Sequence, residues 1–234
     1  MTSKTRKLMN AMLLCGLAGG AQSALSSTTL TYQGAAYPSY QSGYISYADG
    51  SGGYPDFTNK GVLVGGFKML DSSTNQSLQA WCVDVFDWLA TSKVYNNGNT
   101  SNINNFDKLQ QLVNQSYSNV NNATTSAAFQ LAVWDIVTES AGASSFNLST
   151  GRFTASGSGI STAIGLANAW LGLDQAVTGN YNIAYYIYGD GLIPNGNTQN
   201  LISMSPVPLP AAGLLMLSAL GLGGLITRRR TGKK

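Results

Sequence analysis

The 234-residue sequence predicts an α+β domain, a β-sandwich or barrel-like sheet with a helical insertion, set between an N-terminal signal helix and a C-terminal transmembrane helix. Three observations predict it. Period-two apolar runs rich in Tyr, Val and Ile lie at both ends of the central region, helical spacing is confined to its middle, and an apolar stretch flanked by basic residues stands at each terminus. The implied organisation is a signal peptide over 1–23, an extracellular domain over 24–205 and a tail over 206–234 holding a transmembrane helix at 211–227.

The first element is the leader. Lys4, Arg6 and Lys7 precede the apolar run Leu8 to Gly20, and Ala21-Gln22-Ser23 offers small residues for cleavage after Ser23. Cys15 follows Leu13-Leu14 and lacks the small neighbour that lipid attachment wants. Strands are then expected near 28–34, 42–48, 61–70 and 78–86, separated by turns such as Asp49-Gly50-Ser51-Gly52-Gly53 and Asn96-Asn97-Gly98-Asn99. The centre changes period. Asn105 to Val113 has helical spacing, Thr125 or Ser126 caps a second helix running to about Ser140, and a third spans about Gly159 to Leu173. Its apolar side is Ile160, Ile164, Leu166 and Trp170. Strands return near 181–188 and 198–204. Last come a proline-punctuated break at Val207-Pro208-Leu209-Pro210-Ala211, an uncharged apolar run to Ile226, and the basic stop Arg228-Arg229-Arg230. An apolar run of this length is at the low edge of what crosses a bilayer. The basic cluster would stay cytoplasmic, leaving the domain outside.

Charge is uneven along the chain. Eight of the thirteen Lys and Arg residues sit at the two ends, leaving five basic against ten acidic residues between them, a net charge of −5. Such a domain offers no basic patch for nucleic acid. With no histidine, Ser-His-Asp and Cys-His catalysis and histidine-based metal sites are excluded. No cofactor or metal is expected, and the reading is of a non-enzymatic protein.

Once the leader is removed, Cys82 is the sole cysteine and has no disulfide partner within the chain. It sits in the strand-like run Ala80-Trp81-Cys82-Val83-Asp84-Val85-Phe86, where alternation would place Cys82, Asp84 and Phe86 on one face. Downstream, Ala128-Phe129-Gln130-Leu131-Ala132-Val133-Trp134 is apolar nearly all round, so its helix is expected to be buried, with Gln130 its odd polar member. A buried Gln needs hydrogen-bond partners or another reason to be there. A thiol and a carboxamide held in a near-attack pose can form a thioester with loss of ammonia, at effective molarities on the order of 10⁵ M. Trp81, Phe129 and Trp134 would keep water out. The plainer alternative is a small buried hydrophobe beside a satisfied core amide.

Two resemblances follow. The tail, from Val207, Pro208, Leu209, Pro210 and Ala211 through the apolar run to Arg228, Arg229 and Arg230, closely resembles the PEP-CTERM sorting signal in its VPLPA-CTERM form. That resemblance implies a Gram-negative, exopolysaccharide-making source. It also implies an exosortase as partner, a transient inner-membrane anchor, and delivery to the cell surface or extracellular matrix. Trp81-Cys82-Val83-Asp84 and Phe129-Gln130-Leu131-Ala132-Val133-Trp134 resemble the paired motifs of the thioester (TQXA) domains of bacterial surface adhesins. This resemblance implies a Cys82–Gln130 cross-link in an environment of Trp81, Asp84, Phe129, Ala132 and Trp134. It would attach the protein to a polysaccharide hydroxyl or a surface amine.

Other features carry weaker chemistry. Asp84 with Asp87, or Asp135 with Glu139, could suggest glycoside hydrolysis, although the latter pair reads as the solvated side of a helix. The Asp49 loop with Asp56 lacks a calcium loop's ligand spacing. The dense tyrosines Tyr32, Tyr37, Tyr40, Tyr44, Tyr47 and Tyr54 suit strands first and a sugar-stacking surface second. Three function classes result: a thioester-bearing surface or biofilm-matrix protein, a non-reactive matrix protein, and a secreted carbohydrate-active enzyme.

Overall fold

The computed structural model describes residues 27–50, 54–173, 179–189 and 198–207. The expected signal peptide, the span 211–227, Pro208, Leu209, Pro210, Ala211, Arg228, Arg229 and Arg230 lie outside the described residues. In chain order the elements are β1 (Ser27–Ala35), β2 (Gln41–Tyr47), β3 (Phe57–Val64), β4 (Phe67–Asp71), β5 (Gln76–Cys82), β6 (Ser92–Gly98), α1 (Phe106–Ser116), α2 (Ala123–Thr138), β7 (Phe153–Ser156), α3 (Ser161–Leu171), β8 (Tyr181–Ile187) and β9 (Leu201–Pro206).

The architecture is α+β, with the barrel form of the expected sheet. Strands β1-β4-β5-β9-β8-β6 close into an antiparallel barrel, and β3-β2-β7 form a separate three-stranded sheet. The chain leaves the barrel twice, once after β1 to make β2 and β3, and again after β6 to make α1, α2, β7 and α3. Closure removes the exposed edges that an open sheet of this size would carry. Among the described residues no helix is long and apolar enough to cross a membrane.

The stretch 61–70, expected as one strand, is two strands belonging to different sheets. The break is Gly65-Gly66. Gly65 holds φ +147°, and a Cβ on Gly66 would lie 2.7 Å from the Trp81 ring. Only glycine lets the main chain cross that indole so closely. Strand β6 is polar and holds one fully buried side chain, Tyr95, so no alternation announces it. Its pairing with β1 and β8 closes the barrel and overrides the turn propensity of Asn96-Asn97-Gly98.

Helix α2 is the core element, with every residue from Ser126 to Ile136 buried. Its cap is Asn122, earlier than the expected Thr125 or Ser126: Asn122 Oδ1 accepts from the Thr125 N–H, and the Thr125 hydroxyl accepts from the Asn122 N–H. This reciprocal box satisfies two donors that a helix start leaves open. At the other end Asn105 Nδ2 donates to the carbonyls of Ile136 (2.9 Å) and Ser140 (3.1 Å). In α3 the fully packed positions are Ala163, Ala167, Trp170 and Leu171, with Ile160 just before the helix, while Ile164 and Leu166 are only partly buried. Pro206 pairs with Tyr181 and the Val207 N–H donates to the Asn180 carbonyl (3.0 Å), so the barrel's hydrogen bonding reaches Val207.

Candidate functional site

Strand β5 overruns one of its neighbours. Its ladder with β4 stops at Ala80, opposite Phe67, while its ladder with β9 continues through Cys82, opposite Leu201. Val83 N–H then bonds the Asn200 carbonyl on the β9 side (3.1 Å). In an antiparallel ladder the N–H and C=O of alternate residues point to the same edge. Those of Cys82 therefore point toward β4, where the strand has already ended.

Helix α2 fills the missing place. Gln130 Oε1 accepts from the Cys82 N–H at 3.0 Å, and Gln130 Nε2 donates to the Cys82 carbonyl at 2.8 Å. The carboxamide thus stands in for one residue of a neighbouring strand. One turn earlier, Ser126 Oγ accepts from the Gly66 N–H at 2.9 Å and ties down the start of β4. One turn later stands Trp134. Ser126, Gln130 and Trp134 form a single stripe at i, i+4 and i+8 along the helix. The sequence singles out Gln130 and Trp134; Ser126 is found only by asking which residues share their face.

The thiol lies beside this pairing, fully buried. Cys82 S–H donates to the Asp84 carbonyl, and the Asp84 N–H points back at Sγ at 3.2 Å. Burial pushes the thiol pKa well up, and the nearby Asp84 charge adds to this. The Asp84 main chain and the Trp134 indole offset part of that rise. The indole N–H faces the sulfur without meeting full hydrogen-bond geometry, and it has no other partner.

Asp84 is not on the strand. β5 ends at Cys82, and the Asp84 side chain turns back so that Oδ1 accepts from the N–H groups of Phe86 (2.8 Å) and Asp87 (3.2 Å). The expected shared face of Cys82, Asp84 and Phe86 is therefore replaced by a tight turn of the type short acidic side chains make with their own backbone. Oδ2 is buried with no hydrogen-bond partner. Burial raises the Asp84 pKa to about 7, against the lowering effect of those two N–H groups. The loop is pinned from outside by Gln199 Nε2, bonded to the carbonyls of Asp84 (3.3 Å) and Asp87 (2.9 Å), and by Lys60 Nζ on the Val85 carbonyl (3.2 Å).

The aromatic walls divide in two. Trp81, Phe129 and Tyr117 pack as a triad, with ring centroids 5.2 to 5.5 Å apart. Trp134 stands apart on the sulfur side and packs on Phe153 (6.1 Å). Ala132 does not belong to the niche. Two positions on from Gln130, it is turned by roughly 200° around the helix and serves the opposite face.

The other carboxylate pair is also buried, contrary to the expected solvated helix side. Asp135 is fully enclosed with both oxygens unpartnered, because α2 is covered on every side. Burial, followed by the Glu139 charge, raises its pKa to about 8. Glu139 Oε1 instead accepts from the N–H groups of Arg152 (2.6 Å) and Phe153 (3.3 Å) at the start of β7. Asp49 is ion-paired with Arg152 at 2.8 Å, and Asp56 accepts from the Asp49 N–H at 2.9 Å, so this loop braces the small sheet. Among the described residues no group of three His, Cys, Asp or Glu is placed to hold a metal.

Comparison with known proteins adds little. No protein-family model matches the chain, and no curated protein does. Among solved structures, the N-terminal thioester domain of a surface protein from Clostridium perfringens is similar with a TM-score of 0.40 at 13% identity, over 71% of this chain and 99% of that one.

Proposed function

We propose that this chain is an exported cell-surface or biofilm-matrix protein whose Cys82 and Gln130 condense to an internal thioester, an acyl donor for a hydroxyl or amine on a neighbouring molecule. One observation carries the reading: the Gln130 carboxamide is docked on the main chain of Cys82, in a dry niche one side chain from the thiol. The paired motifs around both residues point the same way.

The chemistry balances with the groups present. Sγ attacks the Gln130 carboxamide carbon, the C–Nε2 bond breaks, and the thiol proton leaves with the nitrogen as ammonia. Asp84, whose charge acts on the thiol and whose buried Oδ2 accepts no hydrogen bond, is the proton carrier. Its own N–H steadies the developing thiolate. Attack by an acceptor then places the acyl group on the acceptor oxygen or nitrogen and returns the proton to the sulfur. This is a single self-modification rather than turnover, so the protein is not an enzyme. The tail motif adds the route: inner-membrane anchoring through 211–227, and release by an exosortase acting near Val207-Pro208-Leu209-Pro210-Ala211.

A second reading has an observation in its favour. The Gln130 carboxamide has both its ends bonded, as a purely structural strand substitute would. Intact mass of the mature protein separates the two. The thioester makes the chain lighter by one ammonia, methylamine treatment adds methylamine and exposes one thiol, and Cys82→Ala abolishes both effects. Full calculated mass with a thiol that titrates at once on denaturation sinks the thioester and leaves the structural reading.

A further inference from the structure

The cleft beside the niche contains the two most exposed aromatic side chains among the described residues. Trp88 is 72% exposed and Tyr44 is 52% exposed. Neither is needed by the core, and leaving such surface in water is unfavourable. The cleft has a volume of about 870 Å³ and runs between the β2–β3 face of the small sheet and the loop 85–91. Its inner end is formed by Trp134 and Val85, so the side chain facing the sulfur on one side lines the cleft on the other.

The chemistry of the lining selects the occupant. Between the rings lie neutral hydrogen-bonding groups, including Ser42, Thr91, Ser158 and Gln199. The charged residues in the lining are Lys60 and Asp87. Lys60 is already engaged by the Val85 carbonyl, and its Nζ stands 5.1 Å from the Trp88 and Phe57 ring centres, which fixes the Trp88 indole as a platform. Flat aromatic faces suit the C–H faces of sugar rings, while hydroxyls and amides suit sugar hydroxyls. A domain with net charge −5 and one committed lysine in the cleft repels anionic polymers.

We infer that this cleft binds a neutral polysaccharide, stacking sugar rings on Trp88 and Tyr44, and presents a sugar hydroxyl past Trp134 to the acyl carbon of Gln130. The inference rests on the thioester reading for its last step. In that step the hydroxyl oxygen forms an ester with the Gln130 acyl carbon, the C–S bond breaks, and the hydroxyl proton passes to Cys82 sulfur.

The test uses mature Cys82→Ala protein, which binds without reacting. Hexamers of β-1,4-, α-1,4- and β-1,3-linked glucose are titrated against tryptophan fluorescence and by calorimetry, with tetralysine as the amine probe. At least one hexamer is expected to bind with a Kd of about 1 mM or tighter. Trp88→Ala, an exposed substitution that leaves the fold intact, is expected to weaken it about tenfold, and Tyr44→Ala severalfold. No binding by any hexamer, binding unaffected by Trp88→Ala, or binding of tetralysine alone overturns the inference. The wild-type protein is then incubated with the bound sugar and its denatured mass measured. One covalent sugar chain is the expected result. Ammonia loss in wild type without sugar binding removes the glycan and leaves the thioester. Sugar binding with no ammonia loss removes the thioester, and the delivery step with it.

Discussion

Cys82→Ala tests the cross-link through stability. A thioester between residues 48 positions apart closes a loop in the unfolded chain, which by the chain-entropy model stabilises the fold by on the order of 4 kcal/mol. Forming it loses the Gln130 Nε2 bond to the Cys82 carbonyl, a reduction of about 1 kcal/mol. Removing the buried sulfur from an uncross-linked protein costs about 1 kcal/mol in packing. Cys82→Ala is therefore expected to destabilise by about 4 kcal/mol if the bond exists, and by about 1 kcal/mol if it does not. Urea unfolding of mature wild type, methylamine-treated wild type and the variant measures this. The slope with denaturant should also rise in the variant, because an uncross-linked chain exposes more surface. Gln130→Ala cannot serve in its place. It strands the Cys82 N–H and C=O, at about 1–3 kcal/mol each, under either reading. A loss near 1 kcal/mol with unchanged slope and no response to methylamine would refute the cross-link.

Stability should fall as pH rises from about 4 to about 8. The folded state raises the pKa of Asp84 to about 7 and of Asp135 to about 8 from 3.8, so it holds protons that the unfolded chain has released. Urea midpoints at pH 5 and pH 8 check the direction, and Asp135→Asn should flatten the upper part of the curve. Asp84→Asn keeps the Oδ1 acceptor for Phe86 and Asp87 but cannot carry a proton. Ammonia loss during refolding should slow by about 10²-fold or more with the folded structure intact, as followed by mass over time. Gly66→Ala places a Cβ 2.7 Å from the Trp81 ring, and is expected to cost about 1–3 kcal/mol in a urea titration.

Local pattern made much of this molecule legible. The runs that become β1, β2 and β8 place Leu30 and Tyr32, Ile45 and Tyr47, and Tyr181, Ile183 and Tyr185 two residues apart, and α1 to α3 announce themselves by helical spacing. β6 and β7 did not, because each depends on partners far along the chain: β6 on β1 and β8, β7 on β2. The fold of 61–70 turned on Gly65-Gly66, where Gly65 takes φ +147° and Gly66 clears the distant Trp81 ring. Asp135 looked solvated because it is polar and four residues from Glu139; tertiary packing around α2 buries both. At the site, Cys82, Gln130 and Trp134 were readable from motif and residue type. Their mutual geometry was not, since it follows from β4 stopping two residues short of β5, a register no single segment encodes.

That register explains why Cys82 and Gln130 sit where they do. An ordinary strand neighbour would satisfy Cys82 with backbone amides, which have no acyl group to surrender without cutting the chain. A side-chain carboxamide makes the same two hydrogen bonds and carries an expendable nitrogen. The proposed condensation would give up the Nε2–H donation, while the Cys82 N–H would stay free to bond the acyl oxygen it already holds at 3.0 Å. Under the thioester proposal, the donor that positions the amide would also polarise the carbonyl under attack and persist into the product. The early end of β4 and the helix stripe Ser126, Gln130 and Trp134 are parts of one arrangement. Shifting Gln130 by one helical position would leave Cys82 unsatisfied and carry the acyl carbon away from sulfur.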